Sequence, residues 1–269
     1  MYNIRELEKA IDRGEIFTVY QPKVDLISGD VVGLEVLARW AHEKDGILNP
    51  DVFIDLAENS GKIDELAMSI IGSALDDRDQ WLSSGEQVCL ALNVSMQNLI
   101  SSSFGEFIEG EIDKRNINQN EIILEVKESG LIEDYAEVRE VITRLRAKKI
   151  SISIDDFGAA GGSFVQLKEI PFDEIKIDRK FVQGAHSNPT LQVICESGIR
   201  IASQSNARLV AEGIEDIDDW RYLKESGCKI GQGFFIGKPF RSSLFKDWRT
   251  LWKRQFRTIE RELGVNKSA

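Results

Sequence analysis

Short β-branched apolar runs alternate along the chain with longer stretches in which apolar residues recur every three to four positions. Runs suited to buried strands lie near 16–22, 32–39, 87–94, 121–126, 150–155, 173–177, 208–212 and 229–235, which makes eight. Between them fall helical patterns such as Ile63, Leu66, Ala67, Ile70, Ile71, Ala74 and Leu75, and later Val138, Val141, Ile142 and Leu145. Strand followed by helix, eight times over, predicts an α/β fold of the (β/α)8 TIM-like barrel type, with an open doubly wound sheet as the rival. A last helix is predicted near the C-terminus from Leu244, Trp248, Leu251, Trp252 and Phe256. The expected division is a barrel over 1–245 and a basic helix and tail over 246–269.

The strand ends carry the chemistry. Glu35 closes VVGLE, Asn93 closes CLALN, Glu125 closes EIILE, Asp155 and Asp156 close ISISIDD, Lys176 lies in DEIKID, Glu212 closes LVAE and Gln232 lies in KIGQG. Strand ends that face one way in a barrel form a single surface, so these residues converge although they are far apart in the chain. Alternation puts Glu35 on one face with Gly33, Leu37 and Arg39, and Asp155 with Ser151 and Ser153, while Ile150, Ile152 and Ile154 take the other. The small and polar face is expected to point inward.

Five carboxylates at one barrel mouth repel, and a carboxylate away from water is costly unless it is paired or bound to metal. An all-oxygen donor set selects hard divalent cations, and Asn93 adds a neutral oxygen. The adjacent Asp155 and Asp156 could serve two ions, as in two-metal phosphoryl-transfer sites, with Lys176 holding water or phosphate. Each signal alone has an ordinary reading: an Asp-Asp pair as a helix cap, a lysine as a snorkelling surface residue. Seven stations in register are poorly explained that way.

Composition narrows the partners. The 269 residues are 42% hydrophobic and 29% charged, with a net charge of −11. That balance opposes binding of long nucleic acids, which requires a basic stripe. The charge is uneven, since residues 241–269 carry eight Lys/Arg against three Asp/Glu. Cys89, Cys195 and Cys228 are too widely spaced for a disulfide framework or a zinc pattern. No apolar run has the length of a membrane span. A cytoplasmic location is expected.

The ordered motifs YQP (20–22), EVLARW (35–40), LNVS (92–95), LEVKES (124–129), DDFG (155–158), KIDRKFV (176–182), VAEGIE (210–215) and GQGFFIGKP (231–239) resemble the EAL family of cyclic di-GMP phosphodiesterases. The resemblance implies a barrel that often has an antiparallel first strand, and metal-dependent hydrolysis of cyclic di-GMP to linear pGpG with Mg²⁺ or Mn²⁺. Ca²⁺ is expected to inhibit, because its looser and longer coordination misplaces water. By the same resemblance Glu35, Asn93, Glu125 and Asp155 hold one metal, and Asp155, Asp156 and Glu212 the second, with Glu212 alternatively the general base. Lys176 and Gln232 then handle water, and Glu128 anchors the loop after DDFG. Gln21, Arg39, Asp178 and Pro239 contact substrate, and Leu37 either packs on a guanine or simply fills the barrel.

Two departures from the family pattern stand out: Lys127 stands where Thr is usual, and Ala159, Ala160, Gly161, Gly162 and Ser163 replace a Thr-Gly-Tyr-Ser-Ser run. These departures keep a second reading open, a cyclic di-GMP receptor or protein-interaction module with little turnover. The resemblance also implies a homodimer governed by a sensory or receiver domain outside this chain.

Overall fold

The computed structural model describes residues 2–118, 121–129, 135–159 and 170–263. Nine strands form one sheet: β1 (Ile16–Asp25), β2 (Val31–His42), β3 (Gly46–Leu48), β4 (Leu90–Asn93), β5 (Ile122–Lys127), β6 (Ser151–Phe157), β7 (Glu174–Ile177), β8 (Arg208–Ala211) and β9 (Ile230–Gln232). Their order is β1-β9-β8-β7-β6-β5-β4-β2-β3, and β1 also pairs with β2, so eight strands close into a barrel while β3 extends the β2 edge as a hairpin. β1 is antiparallel to both β2 and β9, whereas β2 and β4 through β9 run parallel. The rival open sheet is thereby excluded.

Ten α-helices are assigned among the described residues: α1 (Ile4–Asp12), α2 (Ile54–Asn59), α3 (Ile63–Ser83), α4 (Met96–Ile100), α5 (Ser102–Arg115), α6 (Tyr135–Ala147), α7 (Arg179–Val182), α8 (Pro189–Gln204), α9 (Ile217–Glu225) and α10 (Phe245–Glu262). The long gap between Glu35 and Asn93 is filled by β3, α2 and α3.

The main hydrophobic core lies between barrel and helices. Leu34, Val36, Leu92, Leu124, Val126, Ile152, Ile154, Ile175 and Ile177 face outward into it from the strands, against Ile71 and Leu75 of α3 and Val138 and Ile142 of α6. A smaller cluster around Trp40 and Phe53 joins α1, α2 and the far end of β2. The C-terminal helix α10 belongs to the main core through Phe245, Trp252, Phe256 and Ile259, and Trp252 Nε1 donates to the Gly29 carbonyl at 2.7 Å. Its buried stripe differs from the expected one: Leu244 and Leu251 are exposed, because Phe245 and Trp252, one residue further on, turn about 100° onto the barrel.

The expected eighth strand stops at Gln232 rather than 235 because the chain folds back, Phe235 N–H donating to the Ile214 carbonyl. Gly233 permits this approach, since a Cβ there would meet Ile214 backbone atoms at 2.1–2.7 Å. Gly213 is needed for another reason, its φ of +74° combined with Arg179, whose Cβ would lie 2.3 Å from a Cβ added there.

Candidate metal and active site

The inner faces of the strands are polar. Alternation directs Lys23, Glu35, Asn93, Glu125, Ser153, Asp155, Glu174, Lys176 and Gln232 away from the outer core, and of these all but Asn93 are buried. Lys176, 1% exposed, is the centre: its ammonium lies 2.7 Å from Glu212, 2.9 Å from Glu125, 3.0 Å from Asp155 and 3.6 Å from Glu35. Four carboxylates from β2, β5, β6 and the end of β8 thus converge on one cation. The surface-lysine reading of DEIKID fails because Lys176 shares strand parity with the buried Glu174.

Polar neighbours fix Glu35. Asn93 Nδ2 donates to Glu35 Oε1 at 3.0 Å, and Gln232 Nε2 donates to Glu35 Oε2 at 2.5 Å and to Gln21 Oε1 at 3.1 Å. Gln21 in turn donates to the Gly237 carbonyl. Burial disfavours the Glu35 carboxylate, but Lys176, Lys23 and these hydrogen bonds outweigh it and hold its carboxyl down at about 2. The balance goes the other way for Glu125 and Glu212. Burial pushes Glu125 up to about 7 despite Lys176 and Lys23, and pushes Glu212 up to about 8 despite Lys176, with Asp155 and Glu35 adding repulsion. Burial also opposes the Lys176 charge, yet its carboxylates keep the ammonium well above the usual lysine range. The mouth is short of positive charge.

Asp156 reaches the same cluster by a break in the strand. Strict alternation would turn it away from Asp155, but Asp156 has φ +57°, and the β6–β7 register passes from Ile154↔Ile175 to Phe157↔Ile177, two residues opposite one. This β-bulge lets both aspartates face the mouth. Ligand oxygens of Asp155, Asp156 and Glu212 all come within 4.8 Å of one another. Burial raises Asp156, as do Asp155 and Asp178, against the pull of Lys127.

The other predicted residues divide. Glu128 Oε2 accepts from Gly158 N–H at 2.8 Å and so ties β5 to the turn after DDFG; loop positions 160–163 lie outside the described residues. Asp178 caps α7, accepting from Lys180 N–H. Arg39, half-buried, donates to the Ala38 carbonyl and forms no ion pair among the described residues. Leu37 is half-buried and belongs to neither apolar cluster. Pro239 is half-buried beside Phe240, whose backbone pairs with Tyr20, and no hydrogen bond brings it to the carboxylates.

Sequence reasoning missed Lys23 and Glu174. Lys23 Nζ lies 2.5 Å from Glu125 Oε1 and 3.2 Å from Glu174 Oε1, and Arg208 lies 3.4 Å from Glu174 Oε2. Parity was the available signal, since Lys23 alternates with Gln21 and Glu174 with Lys176.

The donor set fits divalent cations. Asp155 Oδ1 and Gln232 Oε1 are buried acceptors without a hydrogen bond, although Asp155 Oδ1 is close to Lys176, and the carboxylate-rich oxygen set suits a hard ion. A second acidic group, His186, Asp216 and Asp219, is accounted for structurally: Asp219 accepts from Gly184 N–H and His186 N–H, and Asp216 caps α9.

A closed (β/α)-type barrel with an acidic, lysine-centred mouth whose carboxylates could hold cations is the class that fold and site define. Residues 4–239 match the EAL domain family, and the chain belongs to it. It is 33% identical over 246 residues to the cyclic di-GMP phosphodiesterase RocR of Pseudomonas aeruginosa, covering 91% of this chain and 63% of that protein. It is 35% identical over 246 residues to the cyclic di-GMP phosphodiesterase PA2567 of the same organism, covering 91% of this chain and 42% of that one. The chain therefore spans less than two thirds of either relative. Among solved structures, the PaMucR phosphodiesterase in complex with cyclic di-GMP superposes with a TM-score of 0.84 at 29% identity, covering 89% of this chain and 98% of that one. The EAL enzyme Bd1971, bound to cAMP and cyclic di-GMP, also gives 0.84 at 29% identity, covering 90% and 66%.

Proposed function

We propose that this chain is a metal-dependent phosphodiesterase that opens cyclic di-GMP to linear pGpG. The observation that carries the reading is the convergence of Glu35, Glu125, Asp155 and Glu212 on Lys176, with Glu125 and Glu212 pushed up to about 7 and 8 by burial, against the pull of the lysine. Membership of the EAL family and the names of its relatives support the substrate.

Glu35, Asn93, Glu125 and Asp155 would hold one Mg²⁺ or Mn²⁺, and Asp155, Asp156 and Glu212 a second. Bound there, the ions supply Lewis-acid activation of water and charge stabilisation at phosphorus. In the reaction, water adds at one phosphorus and gives up a proton, the P–O bond to the ribose 3′ oxygen breaks, that oxygen takes up a proton to become a hydroxyl, and the ring opens with a new 5′ phosphate. Lys176 would orient the attacking water, and Gln232, already bonded to Glu35, would help to hold it. Arg39, which forms no ion pair among the described residues, offers a guanidinium fork to a phosphate, with Gln21, Asp178, Leu37 and Pro239 around the ligand. Glu212 either completes the second ligand set or receives the proton of water; Glu212→Gln decides this by losing an ion in the first case and only rate in the second.

The test incubates the protein with cyclic di-GMP and Mg²⁺ or Mn²⁺ and follows pGpG by chromatography. Linear product is expected, with none from Glu35→Ala and inhibition by Ca²⁺. Retained activity in Glu35→Ala would show that the site is elsewhere. Binding of cyclic di-GMP without product, with ions bound, would favour the receptor reading, which draws on the departure from the family pattern at Ala159 to Ser163. Cytoplasmic action as a homodimer under a sensory or receiver domain completes the proposal. Its support is the family resemblance and the part of each relative that this chain does not span. No helix among the described residues is long and apolar enough to cross a membrane.

A further inference from the structure

Below the mouth, charges alternate down the barrel axis: Arg208, Glu174, Lys23, Glu125 and Lys176 are linked in that order by contacts of 3.4, 3.2, 2.5 and 2.9 Å. Only Arg208, at the far end, has substantial side-chain exposure. Glu125 sits between two ammonium groups, Oε1 bound to Lys23 and Oε2 to Lys176. The two lysines are not equivalent. Lys176 is shared among four carboxylates, all of them proposed metal ligands, so incoming cations would compete with it for every partner. Lys23 has one partner at the mouth and one beneath it, Glu174, itself held by Arg208. It enters on the antiparallel strand β1, opposite Gly33 and Gln232, one inward-facing position deeper than Gln21.

We infer that Lys23 is a positioning residue for metal binding: anchored on Glu174, it fixes one oxygen of Glu125 so that the other is presented to a divalent cation. The inference rests on the metal-dependent reading above. Outer partners that orient a metal ligand characteristically carry about 10- to 100-fold in metal affinity. Removing Lys23 alone would change two things with opposite signs. It frees Glu125, which weakens cation binding, and it deletes a positive charge, which strengthens it. The pair Lys23→Met/Glu174→Gln removes one charge of each sign, keeps the net interior charge and isolates orientation.

The test measures Mn²⁺ binding by calorimetry and electron spin resonance without substrate, in the wild type, Lys23→Met, the paired variant and Glu35→Ala. Expected is a loss of about tenfold or more in Mn²⁺ affinity for the paired variant with its cooperative thermal transition retained. Affinity within twofold of wild type in that folded variant overturns the inference and leaves the proposed function standing. Equal binding by wild type and Glu35→Ala would instead overturn the metal-dependent reading, and this inference with it. A second measurement needs no variant: with ¹⁵N-labelled lysine, the Lys23 ammonium is expected to stay protected from water exchange when Mg²⁺ is added, while the Lys176 signal shifts. Loss of the Lys23 signal on adding Mg²⁺ also overturns the inference, whether or not the variants fold.

Discussion

Within β6, Ile152 and Ile154 are fully buried against the helices, while Ser153 and Asp155, on the opposite face of the same few residues, line a lumen of ions and hydrogen bonds. The same split recurs on β5, where Leu124 and Val126 face out and Glu125 faces in, and on β7, where Ile175 and Ile177 flank Lys176. Most of both regions is buried, but they are held by different physics. The outer layer is stabilised by non-directional apolar burial, which tolerates exchange of one aliphatic side chain for another of similar volume. The lumen depends on each charge having its partner, because desolvation of a lone buried ion exceeds what packing returns. The outer layer makes the barrel stable; the lumen makes it able to attract cations.

The largest expected effect comes from breaking the lumen at its centre. Lys176→Met leaves four carboxylates without their common cation and should cost about 3–5 kcal/mol by chemical denaturation without metal, together with loss of pGpG formation. Recovery of the stability alone on adding Mg²⁺ would show that bound ions replace the lost charge, while turnover in Mg²⁺ should stay lost because Lys176 orients water. On the outer side, Ile152→Ala removes apolar volume only and should cost about 3 kcal/mol by the same measurement. Turnover per folded molecule should stay unchanged; a parallel fall in turnover would mean that the two faces are mechanically coupled.

The pH dependence sharpens the contrast next. Glu125 and Glu212, raised to about 7 and 8, hold protons in the folded chain that the unfolded chain releases near 4.3. The folded state therefore binds more protons across that interval, and stability without metal should fall as pH rises from about 5 to 8. Glu35, held at about 2, acts with the opposite sign only below about pH 4 and leaves that interval untouched. Thermal midpoints read from pH 5 to 8 in chelator should decline, and saturating Mg²⁺ should flatten or reverse the slope, since binding displaces those protons. A flat profile in chelator would mean that the carboxyls are satisfied without metal.

The smallest effect is expected at the rim. Lys127 is exposed, shares the inward parity of Glu125 and pairs in register with Asp155. Its charge opposes cations at Asp155 and Asp156, but solvent screens it. Lys127→Thr should tighten Mn²⁺ binding by about two- to fivefold without altering stability, read by calorimetry; weaker binding would indicate that Lys127 supports the site.

Much of this was legible in the chain before any fold was known. Side-chain alternation is a property of a single strand, so the polar face of ISISIDD and the strand-end positions of Glu35, Glu125, Lys176 and Glu212 could be read locally. The eight-unit rhythm pointed to the barrel for the same reason. Lys23 was overlooked because a lone lysine after a proline reads as surface until the strand carrying it is known to be enclosed. Asp156 was placed with Asp155 by its chemistry, whereas alternation alone would have turned it outward; the positive φ at that position reconciles the two.

What the sequence by itself determined is which face each residue occupies and how strongly that face wants water, since both follow from short-range periodicity and side-chain chemistry. Only the tertiary structure decided which of those faces meet. Inter-strand register joins residues as distant as Lys23, Glu125 and Glu174, and closure by an antiparallel first strand sets the depth at which the lysine lies. The strength of each charge then follows from how completely its neighbours exclude solvent, a property that belongs to the closed barrel rather than to any one strand.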